Sequence, residues 1–524
     1  MIKEPPGVTE GSGRMTELKR LVDLVDRGPE DDYFFPASAN ATLFRRTWSP
    51  YHNAVQEIVE LGYQGHCAWG SRITIPLRAR ESGDLLQWIC LRLKPRSWLG
   101  SELEGRFLDG TWNYADPSSG WMWAGGLGSV AVAKVEWEIG DAIVEQWPGE
   151  WMDVWSRRSL DLGRGPVWDA DLYGSVPALQ LRDSGRDPWT AVSPTEDGYV
   201  YCWLPLTFLR RPQTAFPLIA VGEHTEVRLH VTLRPFAEVV RRRAVARTEP
   251  TETPLGSIVR VVDQTGVTPV PWEVRLPARI PEFEEVSVLA GVVHLEDPLR
   301  GSYLRDPFEM MYEPIVHMKF DVPDKVAVDR GGGDVVAMQC PLRELNGPVR
   351  ELVFFLRRKG VWAYNEWTNY GALLEPELVA TATDSAGIHA RAAGRGLIDE
   401  GVIQQPMLRR ARLMVDNAIF RDEAEAWWRY ETALQLPGGV RLSGGMVYGH
   451  LFGDAARWSG DDLQPASTVN ASRALLRLDL EVEPPTAGPE ACAEGESAWE
   501  VHVFAVCVNW MRFVGGVVGP LFKD

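Results

Sequence analysis

The stretch of sequence that decides the fold runs from Tyr33 to Leu86 and reads YFFPASANATLFRRTWSPYHNAVQEIVELGYQGHCAWGSRITIPLRARESGDLL. Near its end, four apolar residues alternate with threonine, proline and arginine: Ile73, Ile75, Leu77 and Ala79. This period of two is typical of a strand that buries one face in a core. Ser82-Gly83-Asp84 supplies turn residues before a second apolar run from Leu85 to Leu93. The stretch predicts two strands joined by a turn, and it lacks the residue groupings that catalysis needs.

The size and charge of the chain limit its class. A chain of 524 residues with 45% hydrophobic residues can form two large domains, each with its own core. Its net charge of −18 argues against a protein that coats nucleic acid, because such binding requires lysine and arginine to neutralise phosphates. The densest basic run is Arg241-Arg242-Arg243, which we interpret as part of a solvated linker. We therefore expect no direct nucleic-acid partner.

The cysteines and the N-terminal composition indicate the compartment. Six cysteines are scattered without a C-x-x-C pair: Cys67, Cys90, Cys202, Cys340, Cys492 and Cys507. Most lie in apolar runs, which favours buried free thiols in a reducing compartment. The first residues do not resemble a secretory signal, and no run of the sequence approaches the roughly 18 apolar residues of a membrane span. We expect a soluble protein that is made in the cytosol.

The N-terminal arm, residues 1–29, contains a predicted amphipathic helix. Its apolar residues have helical spacing: Leu18, Leu21, Val22 and Val25. Thr16 can cap this helix, and Gly28-Pro29 ends it. The apolar stripe packs either beneath its own domain or against a neighbouring subunit or an underlying layer, and both alternatives remain open. We take these four residues as candidate assembly contacts.

After the arm, the sequence predicts strand after strand in two comparable halves. Alternating runs extend from Ala131 to Ile139 and from Val227 to Leu233 in the first half, and from Val316 to Val322 and from Leu476 to Val482 in the second. A helix is predicted around Trp151 to Arg158. Many strands with few long helices are typical of an all-β protein built from two tandem sandwiches or barrels.

The best boundary between the halves is residues 236–256, which shift to charged residues, threonine, proline and glycine. We predict a first domain over residues 30–240 and a second over residues 241–524, with a linker at residues 241–256. Long polar loops near residues 96–120 and 159–195 suggest an exposed face, because loops of that length are uncommon inside compact domains.

Ordered motifs run through the first half. They are Phe44-x-Arg46-x-Trp48 with Tyr51 and Asn53, Trp69-Gly70, Ile73-x-Ile75, Gly83-Asp84-Leu85-Leu86, Glu136-Trp137-Glu138-Ile139-Gly140, Gly149-Glu150-Trp151, Leu204-Pro205-Leu206, Arg211-Pro212, Phe216-Pro217-Leu218-Ile219-Ala220 and Glu226-Val227-Arg228. In this order they resemble the first jelly roll of the double jelly-roll major capsid proteins of nucleocytoplasmic large DNA viruses, such as iridoviruses and phycodnaviruses.

Motifs of the second half extend the resemblance to residues 33–522. They are Val292-Val293-His294-Leu295-Glu296-Asp297 with Arg300, Val349-Arg350-Glu351-Leu352-Val353, Asn365 to Tyr370, Gln464 to Arg473, and Val508-Asn509-Trp510-Met511-Arg512-Phe513 with Gly515-Gly516. The chain departs from the family where Leu204 to Phe208 reads LPLTF in place of LPFWF, and it is unusually rich in tryptophan. These departures bear on the viral lineage and on whether the chain is the main shell protein or a minor paralogue.

The resemblance implies both a fold and a function. The fold is all-β, with two tandem antiparallel jelly-roll sandwiches, short helices in loops and an N-terminal helix. Three copies would form a homotrimer, a pseudo-hexameric capsomer that tiles an icosahedral shell. The implied partners are neighbouring capsomers, minor capsid and penton proteins, and an underlying internal membrane layer. The implied location is the virion capsid, assembled in the host cytoplasm, with no cofactor, metal or catalytic residue.

Two arginines of the opening stretch are further candidate assembly contacts. Arg45 and Arg46 can bind carboxylates between strands or between subunits through the bidentate guanidinium. Each of them is otherwise an ordinary surface arginine.

A glycan-binding or glycan-active two-sandwich protein is the alternative class. Carboxylates adjoin tryptophans at Glu150-Trp151 and Glu366-Trp367, as in glycosidase clefts. A second set of aromatic residues can form a binding platform or can anchor loops on a sandwich: Trp112, Tyr114, Trp121 and Trp123. His224 and His230 are six residues apart on a predicted strand, too far apart to share a metal.

Overall fold

The structure, a computed structural model, describes residues 52–96, 121–124, 126–159, 199–210, 214–243, 258–262, 273–275, 280, 282–321, 335–359, 361–372, 406–429, 446–453, 467–483 and 499–522. The chain divides into two compact units, Met1–Asn53 and Ala54–Asp524, and every element below lies in the second. Several predicted features lie outside the described residues: the helix with Leu18, Leu21, Val22 and Val25, the pair Arg45 and Arg46, and Cys492.

Strands dominate the described residues. They are β1 Ala54–Leu61, β2 Arg72–Leu77, β3 Leu85–Pro95, β4 Trp121–Trp123, β5 Val132–Ile139, β6 Ala142–Pro148, β7 Val200–Trp203, β8 Phe216–Pro217, β9 Val227–Leu233, β10 Val240–Arg243, β11 Ile258–Val262, β12 Glu273–Arg275, β13 Phe283–Leu295, β14 Phe308–Tyr312, β15 Ile315–Asp321, β16 Val336–Pro341, β17 Pro348–Arg358, β18 Leu408–Val415, β19 Ala418–Ala424, β20 Val447–Leu451, β21 Val469–Asn470, β22 Leu476–Val482, β23 Trp499–Cys507, β24 Asn509–Val514 and β25 Val517–Pro520.

The helices among the described residues are short. They are Ala79–Ser82, Leu127–Val130, Glu150–Ser159, Thr207–Arg210, Phe236–Val239, Asp297–Arg305 and Val361–Tyr364, with a 3₁₀ turn at Leu218–Ala220, and residues 425–429 are also helical. The helix predicted around Trp151 is therefore present. No helix in the described ranges is long and apolar enough to cross a membrane.

Two sandwiches with the same strand order make up the body of the molecule. In the first, one sheet has the order β1-β13-β3-β7, with β8 beside β3, and the other has the order β2-β9-β5-β6. In the second, the order β15-β23-β17-β20, with β21 beside β17, faces β16-β22-β18-β19. Read in chain order, the ninth strand of each set returns between the first and the third. Both sandwiches therefore have the antiparallel jelly-roll connectivity.

The backbone irregularities also repeat between the sandwiches. The register shifts once between Val132 and Lys134 of β5, and once between Leu408 and Arg410 of β18, against the equivalent partner strands β9 and β22. A second shift follows the β5–β6 turn and recurs after the β18–β19 turn. Because bulges insert one residue at a defined place, their recurrence fixes which residues of the two sandwiches are equivalent.

The alternation predicted from the sequence forms the core, with two corrections. Ile73, Ile75 and Leu77 are buried along β2, and the same holds for the apolar positions of β9 and β22. Ala79, however, lies in the helix Ala79–Ser82, because β2 ends at Leu77. Ala133 is only half-buried, because the register shift in β5 displaces it from the core face.

The boundary predicted at residue 241 does not match the pairing of the strands. Strand β13 follows that boundary but pairs with β1 and β3 of the first sandwich. The reason is topological, since the last strand of a jelly roll must return between the first and the third. The polar segment after residue 236 is therefore a connection inside the first sandwich, and its residues 240–243 form β10, which pairs with β4 and β11.

The cysteines of the described ranges are free thiols. Cys90, Cys202, Cys340 and Cys507 are buried, and Cys67 is half-buried. Burial raises the pKa of the Cys67 thiol and of the Cys340 thiol to about 12, so both stay protonated and unreactive at neutral pH.

Candidate functional site: the seam between the two sandwiches

Strand β23 is buried on both of its faces. Val501, Val503 and Phe504 all belong to the hydrophobic core, and Glu500, His502 and Phe504 lie on the opposite face of the strand from Val501 and Val503. The ring of Phe504 meets the ring of Trp151, on the helix of the first sandwich, at 5.2 Å. The contact between the two sandwiches along this second face is called the seam below.

A buried carboxylate joins arginines from both sandwiches at the centre of the seam. The Oε1 atom of Glu150 lies 3.2 Å from Nη2 of Arg234, in the first sandwich, and 3.1 Å from Nη1 of Arg357, in the second. Arg357 also binds Glu500 at 2.8 Å. The guanidinium groups are tied down further, since that of Arg234 stacks on the indole of Trp367 at 3.7 Å. This network fixes the two sandwiches in one relative arrangement.

The network keeps its carboxylates ionised. Burial opposes the charge of Glu150, but the attraction of Arg234 and Arg357 outweighs it and holds the pKa of Glu150 well below its ordinary value. Burial likewise opposes ionisation of Glu500, and the hydrogen bond from His502 and the charge of Arg357 lower its pKa to about 2. Glu150 is thus a structural anion, with its charge committed to two arginines, and the glycosidase interpretation of Glu150-Trp151 gains no support.

Two histidines form a buried pair beside this network. Nε2 of His317 lies 3.0 Å from Nδ1 of His502, whose own Nε2 lies 2.8 Å from Oε1 of Glu500. Since the carboxylate only accepts, Nε2–H of His502 donates to Glu500, and Nδ1 of His502 accepts from Nε2–H of His317. The rings stack between Phe355 and Phe504. Burial, followed by the charge of neighbouring groups, lowers the pKa of His317 to about 3 and also lowers the pKa of His502.

A loop of the second sandwich clamps the first through its backbone. Nδ2 of Asn365 donates to the carbonyl oxygens of Ala237 and Val240, both at 2.6 Å. Nε1 of Trp367 donates to the carbonyl of Glu238 at 2.8 Å. These residues belong to the Asn365 to Tyr370 motif singled out in the sequence, and this motif therefore joins the two sandwiches.

Strand β10 corrects one sequence interpretation. Arg241 was predicted to lie in a solvated linker, but its Nε donates to the carbonyl of Tyr364 at 3.0 Å and its Nη2 lies 3.6 Å from Glu366. The side chain is 5% exposed. Arg241 is therefore not a solvated linker residue, because it pairs with Glu366, a buried carboxylate of the second sandwich.

A second ionic cluster links the sandwiches through Arg210. Its Nη2 lies 2.6 Å from Glu145 of β6 and also donates to the carbonyl of Glu313. The side chain of Glu313 in turn binds Arg350 at 3.0 Å. Burial raises the pKa of Glu145 to about 7, although Arg210 opposes the shift. The motif Leu204-Pro205-Leu206 precedes the helix Thr207–Arg210 and so positions this arginine.

An open cleft of about 460 Å³ lies at the seam. Its walls include Glu150, Arg234, Arg357 and His502 of the network and the indoles of Trp362 and Trp367. The charged walls bind one another, and within the described ranges no three His, Cys, Asp or Glu residues come close enough to hold a metal ion. The geometry of these described residues supports a structural joint between the two sandwiches.

The structure does not bring the predicted contact residues together, because Arg45, Arg46, Leu18, Leu21, Val22 and Val25 all lie outside the described ranges. Among the loop aromatics, Trp123 packs on Trp69 at 5.8 Å and on Phe236 at 6.0 Å, as an anchor would. Sequence reasoning missed Arg234, Arg357, Glu500 and the histidine pair. A signal was available, since Glu500 and His502 stand at a spacing of two in the otherwise apolar run of β23.

Two jelly rolls of equal topology, joined by a buried polar seam, define a double jelly-roll protein, as predicted. The chain has this fold in common with the chain in a quasi-atomic model of the PBCV-1 virus capsid, with a TM-score of 0.64, 17% identity, and coverage of 92% of this chain and 100% of that one. The Faustovirus major capsid protein matches with a TM-score of 0.57, 10% identity, and coverage of 96% and 97%.

Sequence comparison identifies the relatives. Residues 42–264 match the family described as major capsid protein N-terminus. The chain is 26% identical over 221 residues to capsid protein 1 of Acanthamoeba polyphaga mimivirus, which covers 41% of this chain and 34% of that protein. It is 24% identical over 246 residues to the major capsid protein of Chrysochromulina ericina virus, which covers 42% and 41%. The chain is thus similar in sequence to capsid proteins of large DNA viruses, and the matches span less than half the length of these curated relatives.

Proposed function

We propose that this chain is the structural major capsid protein of an icosahedral large DNA virus and acts by assembly, without a catalytic reaction. The observation that carries the proposal is the internal repeat: two sandwiches of equal strand order and equal bulges, locked together by the buried seam. A rigid unit of this kind suits a shell, because its shape must be the same in every copy. The capsid names of its relatives support the same conclusion.

The contact between the sandwiches is heterologous, which favours a closed ring. Strand β6 of the first sandwich packs against β15 of the second, whereas the equivalents of these strands, β19 and β1, are edge strands on the chain's surface. A heterologous contact that repeats generates a ring when its rotation closes. Three copies supply six similar sandwiches, and we propose that they form a homotrimer with a near-hexagonal outline, the capsomer that tiles the shell.

The proposed partners follow from this role. They are other copies of the chain, neighbouring capsomers, minor capsid and penton proteins, and an internal membrane layer, within a virion capsid assembled in the host cytoplasm. Leu18, Leu21, Val22, Val25, Arg45 and Arg46 remain our candidate residues for contacts with such neighbours. A net charge of −18 supports the view that the chain does not bind the genome directly.

Electron microscopy of the purified full chain tests the proposal. We expect particles with a six-cornered outline and a threefold class average. Monomeric particles at every concentration, together with binding of the chain on a glycan array or cleavage of glycopeptides, would instead support the glycan-directed alternative. Quantification in purified virions separates a major capsid protein, the most abundant chain, from a minor paralogue.

A further inference from the structure

The repeated bulges show which residue of one sandwich occupies the same position as each seam residue of the other sandwich. In the β5–β6 hairpin the first pair after the turn includes Ala142, and in the β18–β19 hairpin it includes Ala418. In each hairpin the residue two positions after this alanine is skipped in the pairing. The skipped residues are Val144 and Phe420. Counting onward along each chain, Trp151 of the seam corresponds to Trp427, which lies in the helical residues 425–429.

The sheet that receives Trp151 has an equivalent as well. The register of β13 against β3 shifts at Val292, and that of β23 against β17 shifts at Cys507. Val292 and Cys507 are therefore equivalent. Three residues before them lie Leu289 of the first sandwich and Phe504, which contacts Trp151, so Phe504 corresponds to Leu289. By pairing with these strands, Ile315 of β15 corresponds to Ile58 of β1.

Equivalent positions have opposite exposures. Val144, Trp151 and Ile315 are 8%, 2% and 5% exposed, and all three lie on the elements that form the seam. Their counterparts Phe420, Trp427 and Ile58 are 53%, 50% and 66% exposed. The chain therefore carries large apolar side chains at the positions that an identical contact would cover, and in a single copy these side chains face solvent. Exposed apolar groups of this size mark an interaction surface.

The charges at the equivalent positions are complementary. In the seam, Arg234 and Arg357 both bind Glu150. Strands β9 and β22 are equivalent, and Arg234, which follows β9, corresponds to Glu483, which follows β22. Strands β3 and β17 are also equivalent, and Arg357 of β17 corresponds to Lys94 of β3. Ala426 stands in place of Glu150. The arginine–glutamate–arginine arrangement is thus replaced by a glutamate and a lysine of opposite charge. Lys94 lies 3.6 Å from Glu284 of its own chain and, at 33% exposure, can also pair with Glu483 of a second copy.

We propose that the surface formed by Phe420, Trp427 and Glu483 docks on the surface formed by Ile58, Lys94 and Leu289 of a second copy of this chain. Trp427 packs on Leu289 as Trp151 packs on Phe504, and Glu483 pairs with Lys94. The contact repeats the seam between molecules, so each sandwich meets its neighbours through the same two surfaces. This inference rests on the proposed capsid function and names the surfaces through which copies of the chain associate.

A charge exchange on the full chain tests the pairing. Lys94→Glu and Glu483→Lys each place like charges across the contact, and we expect each to weaken self-association at least about tenfold in analytical ultracentrifugation. The double variant restores opposite charges and should return to within about threefold of the original affinity. Single variants that associate like the wild type, or a double variant no better than the singles, overturn the pairing.

Substitution of the apolar anchor tests the packing. Trp427→Glu should give folded monomers at concentrations where the wild type is associated. Val517→Glu is the matched control, because Val517 is 67% exposed but lies on β25, outside the proposed surfaces, and this variant should stay associated. If the wild type associates and Trp427→Glu does too, the inference fails while the proposed function stands. A wild type that never associates contradicts the proposed function itself.

Discussion

At the residue scale, the chain uses charge in its interior to hold two sandwiches in one geometry. Glu150, Arg357 and Glu500 are each less than one tenth exposed, yet each has a partner of opposite charge. A buried ion pair adds little net stability compared with apolar packing, but removal of one partner leaves an uncompensated charge. The seam therefore gains directional specificity, which holds the two sandwiches in the same relative arrangement in every copy of the chain.

Arg357→Met should be strongly destabilising. It leaves Glu150 and Glu500 with fewer partners inside the protein, and we expect a loss of about 3 to 5 kcal/mol in the free energy of unfolding, measured by urea denaturation. Arg80→Ala is the control, because its pair with Glu223 is exposed on both sides and should contribute little. An equal effect of the two variants would contradict the role of Arg357.

The histidine pair should make the seam sensitive to acid. The pKa of His317 falls from 6.5 to about 3 in the folded chain, so below pH 6.5 the unfolded chain binds more protons. Stability therefore decreases as the pH falls from about 6.5 toward 3, by up to about 1.4 kcal/mol per pH unit for one histidine. The raised pKa of Glu145 acts in the opposite direction between about 7 and 4.5, and the carboxylates Glu150 and Glu500 add their own loss below about 4.5.

Comparison with His317→Gln isolates the histidine contribution. The amide can still donate a hydrogen bond to Nδ1 of His502, but it does not titrate. Calorimetry from pH 7.5 to pH 4 should show a smaller fall in melting temperature for this variant than for the wild type. Parallel curves for the two proteins would show that His317 does not contribute to the acid sensitivity.

At the element scale, regular alternation was predictable from sequence, and its interruptions were not. Strands β2, β9 and β22 follow their apolar pattern, because each has one face in a core. Ala133 was misassigned because a bulge changes the face without changing the composition. Arg241 was misassigned because burial of a charge depends on a partner distant in sequence. Strand β13 lies after residue 240 but belongs to the first sandwich, because it pairs with β1 and β3. Local sequence patterns do not indicate such long-range pairing.

Gly149 shows how one residue fixes the junction of a strand and a helix. A Cβ atom at this position would lie 1.8 Å from the carbonyl oxygen of Val132. Gly149→Ala should therefore move the helix Glu150–Ser159 and its seam residues, with a loss of about 1 to 3 kcal/mol or more in stability. Gly519→Ala on β25 has open space and should change the melting temperature little. Thermal denaturation of both variants checks the difference, and equal melting temperatures would contradict the close contact.

At the scale of the whole molecule, the fold was predictable because ordered motifs cover both halves, whereas the seam required coordinates. Its residues come from β6, β15, β17 and β23, from the position after β9 and from a helix, and they are separated by up to several hundred positions in the chain. The resemblance pointed to the Asn365 to Tyr370 motif but not to its function, which is to bind the backbone of the other sandwich. The equivalence of seam and surface residues became visible only through the bulges.

We propose that the N-terminal arm acts in assembly beyond the ring. Deletion of residues 1–28 should leave trimers intact, because the sandwiches and the proposed contact surfaces lie after residue 53, and it should weaken the formation of larger shells. Sedimentation of trimers and of assembled particles measures both effects. Failure of the shortened chain to fold would contradict the assignment of the predicted helix to assembly.

The most direct measurement is the mass of the intact assembly formed by the purified wild-type chain, obtained by native mass spectrometry. The proposed ring predicts a dominant species at three times the chain mass of 58.6 kDa, which dissociates to monomers in the Trp427→Glu variant. A wild-type chain that remains at the mass of one copy at all concentrations, or that forms only even-numbered assemblies, would contradict the ring of six sandwiches.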